Sequence, residues 1–197
     1  MFGSKKKTLP PEIAARIPEG QFLTQKFPVL TYGPTPKIPA EEWTLRIFGE
    51  VAEEAVWTWA DVMAMPYCEV QSDFHCVTTW SKLDNVWGGV HIRDVLKRIK
   101  ITPEARYVMA HCYGGYTTNI PLEVLDDDDV LLAWRHNGEN LSIEHGFPMR
   151  LVIPKRYAWK SAKWMSGLEF MQEDRAGFWE RNGYSMNADP WKEERYW

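Results

Sequence analysis

Ser72-Asp73-Phe74-His75-Cys76-Val77-Thr78-Thr79-Trp80-Ser81 ends a strand that begins near Cys68 and opens into a loop by Thr78. It sets one cysteine among hydroxyls, a histidine and an indole. A buried inert cysteine usually keeps apolar neighbours, whereas polar neighbours leave a sulfur open to deprotonation and to a metal. Gly88 and Gly89 follow and read as a glycine-rich loop. A thiolate in such a place prefers soft or thiophilic centres.

Two dipeptides compete for a metal role, His75-Cys76 and His111-Cys112. Zinc takes His and Cys ligands, but neighbours on a strand face opposite sides. His75 and Cys76 therefore cannot grip one ion together. No C-x-x-C spacing occurs, and at most Cys76 and Cys112 share a face, which leaves two ligands missing. Cysteines packed as small hydrophobes remain the alternative.

Outward from this stretch the chain is built of short pieces. Residues 1–40 hold Pro10, Pro11, Pro18, Pro28, Pro34, Pro36 and Pro39, which precludes a long helix or a central strand. They read as an arm, and 41–197 as the body. Trp43–Gly49 alternates as a half-buried strand does. Thr58–Met65 is a short helix stopped by Pro66, and Val90–Ile99 is the best helix by apolar spacing. Arg106–Ala110, Met149–Pro154 and Ser166–Met171 read as strands, and Val130–Arg135 as a strand or short helix. Asp126–Asp129 lacks the spaced ligand loop that calcium needs and reads as a solvated turn or helix start. Phe178–Trp197 reads as an ordered loop wrapped over the body. No βαβ rhythm repeats, so the expected class is α+β with a β-rich core.

Composition narrows the function. The 197 residues are 45% apolar with a net charge of −4, which gives no general basic field for nucleic acid. No run approaches the ~20 apolar residues of a membrane helix. Lys5, Lys6 and Lys7 precede no apolar stretch, so no secretory leader is expected. Cys68, Cys76 and Cys112 are a poor disulfide framework and fit a reducing compartment, so the cytoplasm is expected. The 11 Trp residues point to a thick core or to pocket walls.

A second constellation is His145-Gly146-Phe147-Pro148-Met149-Arg150, followed by Trp159-Lys160-Ser161-Ala162-Lys163-Trp164. Arg150 offers a planar fork suited to phosphate or a pterin carbonyl. In extended backbone Ser161 and Lys163 share a face and can hold one anion, with Lys160 on the other side. No G-x-S-x-G, G-x-x-x-x-G-K or H-E-x-x-H pattern occurs, which favours a cofactor held by scattered side chains.

These motifs, taken in order, resemble the molybdopterin-binding domain of the sulfite oxidase superfamily, in its small single-domain prokaryotic form. The matching stretches are Phe27–Leu30, His75–Ser81, Gly114–Asn119, His145–Pro154, Trp159–Trp164 and Phe178–Tyr184, and they span nearly the whole chain. The resemblance implies a mixed α+β domain and a Mo-molybdopterin cofactor, with Cys76 as the metal ligand. It places Cys112 and His145 where a relative's polar side chains touch the cofactor. It places Arg150 with Ser161, Ala162 and Lys163 (Lys160 beside them) at the pterin and its phosphate, and Leu30 and Thr31 passing over the cofactor. Candidate catalytic groups beside Cys76 are His75, Trp80, His111 and Tyr116, with Tyr113 also a pocket candidate.

The family's sulfite-binding arginines find no clear counterpart, and Val77-Thr78-Thr79-Trp80 replaces its usual flank of the cysteine. No haem domain before the chain and no immunoglobulin-like domain after it are expected. The expected activity is oxygen-atom or two-electron transfer on a small S-oxide, N-oxide or sulfite-like molecule, with electrons exchanged with a separate carrier protein or quinone. A cofactor-carrier module or partner-dependent subunit is the alternative, and a small zinc protein a third reading.

Overall fold

The computed structural model describes residues 9–196. Lys5-Lys6-Lys7 and the leader reading that rests on them lie outside the described residues, as does Trp197. The strands are β1 (Phe22–Leu23), β2 (Thr44–Gly49), β3 (Ala55–Thr58), β4 (Tyr67–His75), β5 (Trp80–His91), β6 (Tyr107–Cys112), β7 (Thr117–Pro121), β8 (Leu131–His136), β9 (Glu139–Asn140), β10 (Arg150–Val152) and β11 (Met165–Met171). Five helices of four or five residues join them: α1 (Pro11–Ala14), α2 (Trp59–Met63), α3 (Ile92–Leu96), α4 (Leu122–Leu125) and α5 (Phe178–Arg181).

Two sheets result. One runs β3-β2-β11-β6-β7, with β2 and β11 parallel and the other pairs antiparallel. In the other, β5 is the spine. β4 lies along one side of it, while β1 and then β8 pair with its two ends, and β10 and β9 pair with β8. The alternation in β2 buries Leu45 and Ile47 and turns Arg46 and Phe48 outward. The same period in β6 sends Val108, Ala110 and Cys112 into the core and leaves His111 outside, its ring 5.4 Å from that of Phe48.

The long strand β5 is absent from the sequence reading. Gly88 and Gly89 are not loop residues: they lie inside β5, where a bulge brings it against β8. A Cβ on Gly89 would stand 2.0 Å from the Leu132 carbonyl oxygen, so no other residue fits that approach. The helix expected from Val90 begins two residues later, because Val90 and His91 stay in the ladder opposite Leu132 and Leu131. α2 starts as read. Thr58 caps it, with the Asp61 amide donating to Thr58 Oγ1 and the Thr58 amide to Asp61 Oδ2.

The core has two parts. One lies between the sheets around Trp43, Leu45, Val90, Leu132 and Leu168. The other gathers Phe74, Cys76, Trp80, Trp87, Tyr157 and Trp159. The second part carries the site, and both chain ends reach it. Arg16 grips Asp73 through two hydrogen bonds of 2.9 and 2.6 Å, and β1 pairs with Trp80 and Ser81. After α5 the chain returns through a short 3-10 turn at Pro190–Lys192, and Tyr184 bridges to Tyr196. Among the described residues no helix is long and apolar enough to cross a membrane.

Candidate functional site

Cys76 sits in the four-residue turn between β4 and β5. The turn closes through Cys76 N→Trp80 O (2.9 Å) and Thr79 N→Cys76 O (3.0 Å). Thr79 adopts φ +75°, the cost of reversing direction in so few residues. The turn faces a cavity of about 330 Å³, within the range of small-ligand sites. Cys76 is 5% exposed, and its Sγ lies 3.1 Å from Thr78 Oγ1. Burial pushes the thiol up, opposed by the Thr78 contact and by the Arg195 charge.

Facing the turn are the two tracts that sequence singled out. The Arg150 guanidinium is 3% exposed and donates to the carbonyls of His145 (3.0 Å) and Ser161 (2.9 Å). Its fork has more N–H groups than these contacts use. No carboxylate among the described residues pairs with it. Burial draws it down to about 9. Lys163 Nζ donates to the carbonyls of Leu30 and Glu144, each at 2.8 Å, and lies 4.6 Å from the Trp164 ring centre. Burial, then the Arg150 charge, draws it down to about 7. Gly146, at φ +111°, lets the loop close over both, for a Cβ there would meet Arg150 Cβ at 3.0 Å and Lys163 Cβ at 3.1 Å. Ser161 Oγ accepts from the Ile153 amide (2.9 Å) and keeps its own proton for a ligand.

The remaining walls are aromatic. Trp159, Trp179 and Tyr184 close one side, and Phe27, Leu30, Thr31 and Tyr32 of the arm close another. Phe27 stacks on His145 at 3.9 Å and 9°. Burial, then Arg150 and Lys163, hold that imidazole neutral, at about 4. Trp80 lines the cavity with its indole Nε1 buried and without a hydrogen-bond partner.

The cavity thus gathers Cys76, Trp80, Tyr116, Leu30, Thr31, His145, Arg150, Ser161, Ala162 and Lys163. The side chains of five other candidates go elsewhere. His75 turns its Nδ1 to Ser81 Oγ (2.8 Å), because it is the last residue of β4 and faces away from the turn. His111 lies on the outer face of the other sheet, its Nε2 2.8 Å from Glu169 Oε2. Tyr113 stays near Thr44, 3.1 Å from its amide. Cys112 is packed in the inter-sheet core, and burial pushes its thiol far up. Lys160 is locked behind the cavity wall, its Nζ 2.6 Å from Glu180 Oε1, 2.7 Å from Asn119 Oδ1 and 2.9 Å from the Asn119 carbonyl. Tyr116 contributes its ring alone, since its hydroxyl donates to the Trp159 carbonyl at 2.7 Å. The sequence reading assigned no individual part to Phe27, Thr78, Trp179, Tyr184 or Glu180, while Trp159 and Trp164, flanking Lys160–Lys163, suggested a walled pocket. The abundance of tryptophan was the available signal for the aromatic walls.

Among the described residues no three His, Cys, Asp or Glu side chains gather around a metal position. That set fits neither zinc nor a calcium loop at Asp126–Asp129. It fits a ligand that brings most of its own donors to a metal and carries negative charge. The unpaired Arg150 and Lys163 fit a phosphate, the free Trp80 N–H fits a heterocycle or oxygen acceptor, and one sulfur fits a soft centre.

Fold and cavity together describe a class: an α+β protein whose cavity is walled by aromatic rings and carries one cysteine opposite Arg150 and Lys163. The chain belongs to the oxidoreductase molybdopterin-binding domain family, whose model matches residues 32–179, and it is an oxidoreductase of the sulfite oxidase type. It is 45% identical over 191 residues to the uncharacterized oxidoreductase YuiH of Bacillus subtilis (strain 168), covering 96% of each. It is 28% identical over 191 residues to a sulfite oxidase of Arabidopsis thaliana, covering 79% of this chain and 49% of that protein. The fold matches the sulfane dehydrogenase SoxCD of Paracoccus pantotrophus with a TM-score of 0.66 and 20% identity, over 93% of this chain and 58% of that one.

Proposed function

We propose that the cavity holds a molybdenum–pterin cofactor with the Cys76 sulfur as the protein's ligand to the metal. The chain then carries out two-electron oxygen-atom transfer on a small S-oxide, N-oxide or sulfite-like substrate. One observation carries the reading: the cysteine on this cavity faces buried Arg150 and half-buried Lys163, and among the described residues neither makes an ion pair with a carboxylate. Burying an uncompensated charge costs several kcal/mol, so the cations point to an anion that completes them.

When bound, the cofactor supplies the two-electron oxygen-transfer chemistry. The residues supply the rest. Arg150, Ser161 and Lys163 would hold the phosphate end of the cofactor. Ala162, Leu30 and Thr31 line the pterin's bed, and neutral His145, stacked on Phe27, presents a ring nitrogen without adding charge. Trp80 donates its N–H. Trp159, Trp179, Tyr184 and the Tyr116 ring exclude water, which strengthens every charge interaction inside. Electrons pass to or from a separate carrier protein or quinone. The division into an arm of 1–40 and a body of 41–197 is kept, and of the arm the described residues 22–32 reach the site, through β1 and the cavity lining from Phe27 to Tyr32. The free cysteines support a reducing compartment such as the cytoplasm.

Elemental analysis of protein made in a cofactor-competent host is the test. The wild type carries one molybdenum per chain, Cys76→Ser loses most of it, and released pterin fluoresces in proportion. Equal molybdenum in both proteins removes Cys76 from its role, and a wild type without molybdenum removes the cofactor. Turnover of S-oxides and N-oxides with an artificial electron donor separates an enzyme from a carrier.

A further inference from the structure

We infer that Arg195 is a positioning residue for the Cys76 turn, holding it through the Val77 carbonyl and keeping a positive charge beside the metal-binding sulfur. This rests on the ligand role proposed for Cys76. Arg195 stands outside residues 32–179, the part matched by the family model.

The geometry is specific. Arg195 Nη1 donates to Val77 O at 2.6 Å, across 118 residues of chain. The guanidinium lies 4.9 Å from the Tyr157 ring centre, and its side chain is 14% exposed. Nη2 is buried without a hydrogen bond, and its nearest carboxylate, Glu193 Oε1, stands at 3.8 Å and is itself half exposed. A cation so enclosed and so loosely neutralised acts on what lies next to it. The carbonyl it binds belongs to the residue after Cys76, so the guanidinium sits against the turn that carries the sulfur.

A second clamp comes from the other chain end and carries no charge. Gln21 Nε2 donates to Cys76 O at 3.1 Å, and the Phe22 amide to Thr79 O at 2.8 Å. The two ends meet at Gly20, φ +71°, where a Cβ would lie 2.6 Å from Glu193 Oε1 and 3.2 Å from Arg195 Nη2. The turn is thus held twice, once by an amide and once by a guanidinium. The amide can fix position alone. The guanidinium also adds positive charge, which favours the reduced metal and raises its reduction potential.

The experiment compares Arg195→Met, Arg195→Lys and Gln21→Ala. In cofactor-free protein, Arg195→Met and Gln21→Ala each speed amide exchange of residues 76–79 about tenfold, the loss of one hydrogen bond. In molybdenum-loaded protein, a redox titration followed by electron paramagnetic resonance shows Arg195→Met at lower potential. Arg195→Lys returns most of the shift, and Gln21→Ala stays at the wild-type value. An unchanged potential in Arg195→Met overturns the inference, and so does an equal shift in Gln21→Ala. Unaltered exchange in Arg195→Met removes the clamp. Should Arg195→Met not accumulate folded, Arg195→Gln serves in both measurements. A wild type that takes up no molybdenum refutes the ligand role of Cys76, a failure distinct from a loaded protein whose potential ignores Arg195.

Discussion

Lys160 and Lys163 stand three residues apart in one turn of chain, yet they meet opposite fates. Lys160 is 1% exposed and spends its charge on Glu180, which also accepts from Trp159 Nε1 at 2.9 Å and from Thr118 Oγ1 at 2.8 Å. Lys163 reaches the cavity and finds carbonyls. Both are desolvated. One is completed by the fold, and the other, with Arg150, waits for something the chain does not provide. A buried ion pair is weak evidence for stability in itself, but here it ties the wall residue Trp159 to α5, and so sets the cavity's shape. The unpaired cations set its charge.

Breaking the completed member has the largest effect. Lys160→Met takes the ammonium out of the buried network with Glu180 and Asn119 and lowers unfolding free energy by about 3–5 kcal/mol, read by urea denaturation of cofactor-free protein. Lys163→Met, measured the same way, moves it by no more than about 1.5 kcal/mol, since it gives up neutral hydrogen bonds at the cavity edge. Equal losses in the two variants would erase the distinction between strut and ligand-facing charge.

Arg150→Met sharpens the other side of the comparison. Phosphate retention then falls about ten- to hundredfold, the factor lost with hydrogen bonds to a charged partner. In cofactor-free protein the rise in Tm on adding inorganic phosphate shrinks accordingly. A phosphate response as large in Arg150→Met as in the wild type would leave the guanidinium a packing element of β10, wedged 5.2 Å from the Trp87 ring centre and 5.4 Å from that of Phe74.

How much of this was legible follows from local geometry. Cys76 and Arg150 stand out in sequence because a cysteine among hydroxyls and an arginine beside Gly-Phe-Pro are unusual neighbours. Lys160 was grouped with Lys163 at the cofactor by resemblance, although alternation had set it on the other side. The structure keeps it there, turned to Glu180 and Asn119 at the end of a 3-10 turn over Ala158–Lys160. His111 failed on the same rule: β6 is extended, and the alternation that buries Cys112 in the core turns His111 outward. Glu180, Gln21 and Arg195 act over 20, 55 and 118 residues of separation, and no window of sequence holds such contacts. β5 was missed because glycines that read as a loop are what its crossing with β8 requires.

The smallest effect separates the two lysines by their protons. Lys163 titrates near 7 in the folded, cofactor-free chain, against about 10.4 for an unfolded lysine. Between those values the unfolded chain keeps a proton that the folded chain has released, so through this group stability rises as pH climbs from about 7 to 10. An anion in the cavity favours the charged ammonium and reverses the shift. Phosphate binding above pH 7 therefore takes up a proton at Lys163, and affinity falls with rising pH by at most tenfold per unit. Calorimetry in two buffers of different ionisation enthalpy measures the uptake, which vanishes in Lys163→Met and, in Lys163→Arg, gives way to tight binding that no longer weakens above pH 7. Uptake that persists in Lys163→Met would move the proton to another group and leave Lys163 a latch for the Leu30 carbonyl, with no part in holding charge.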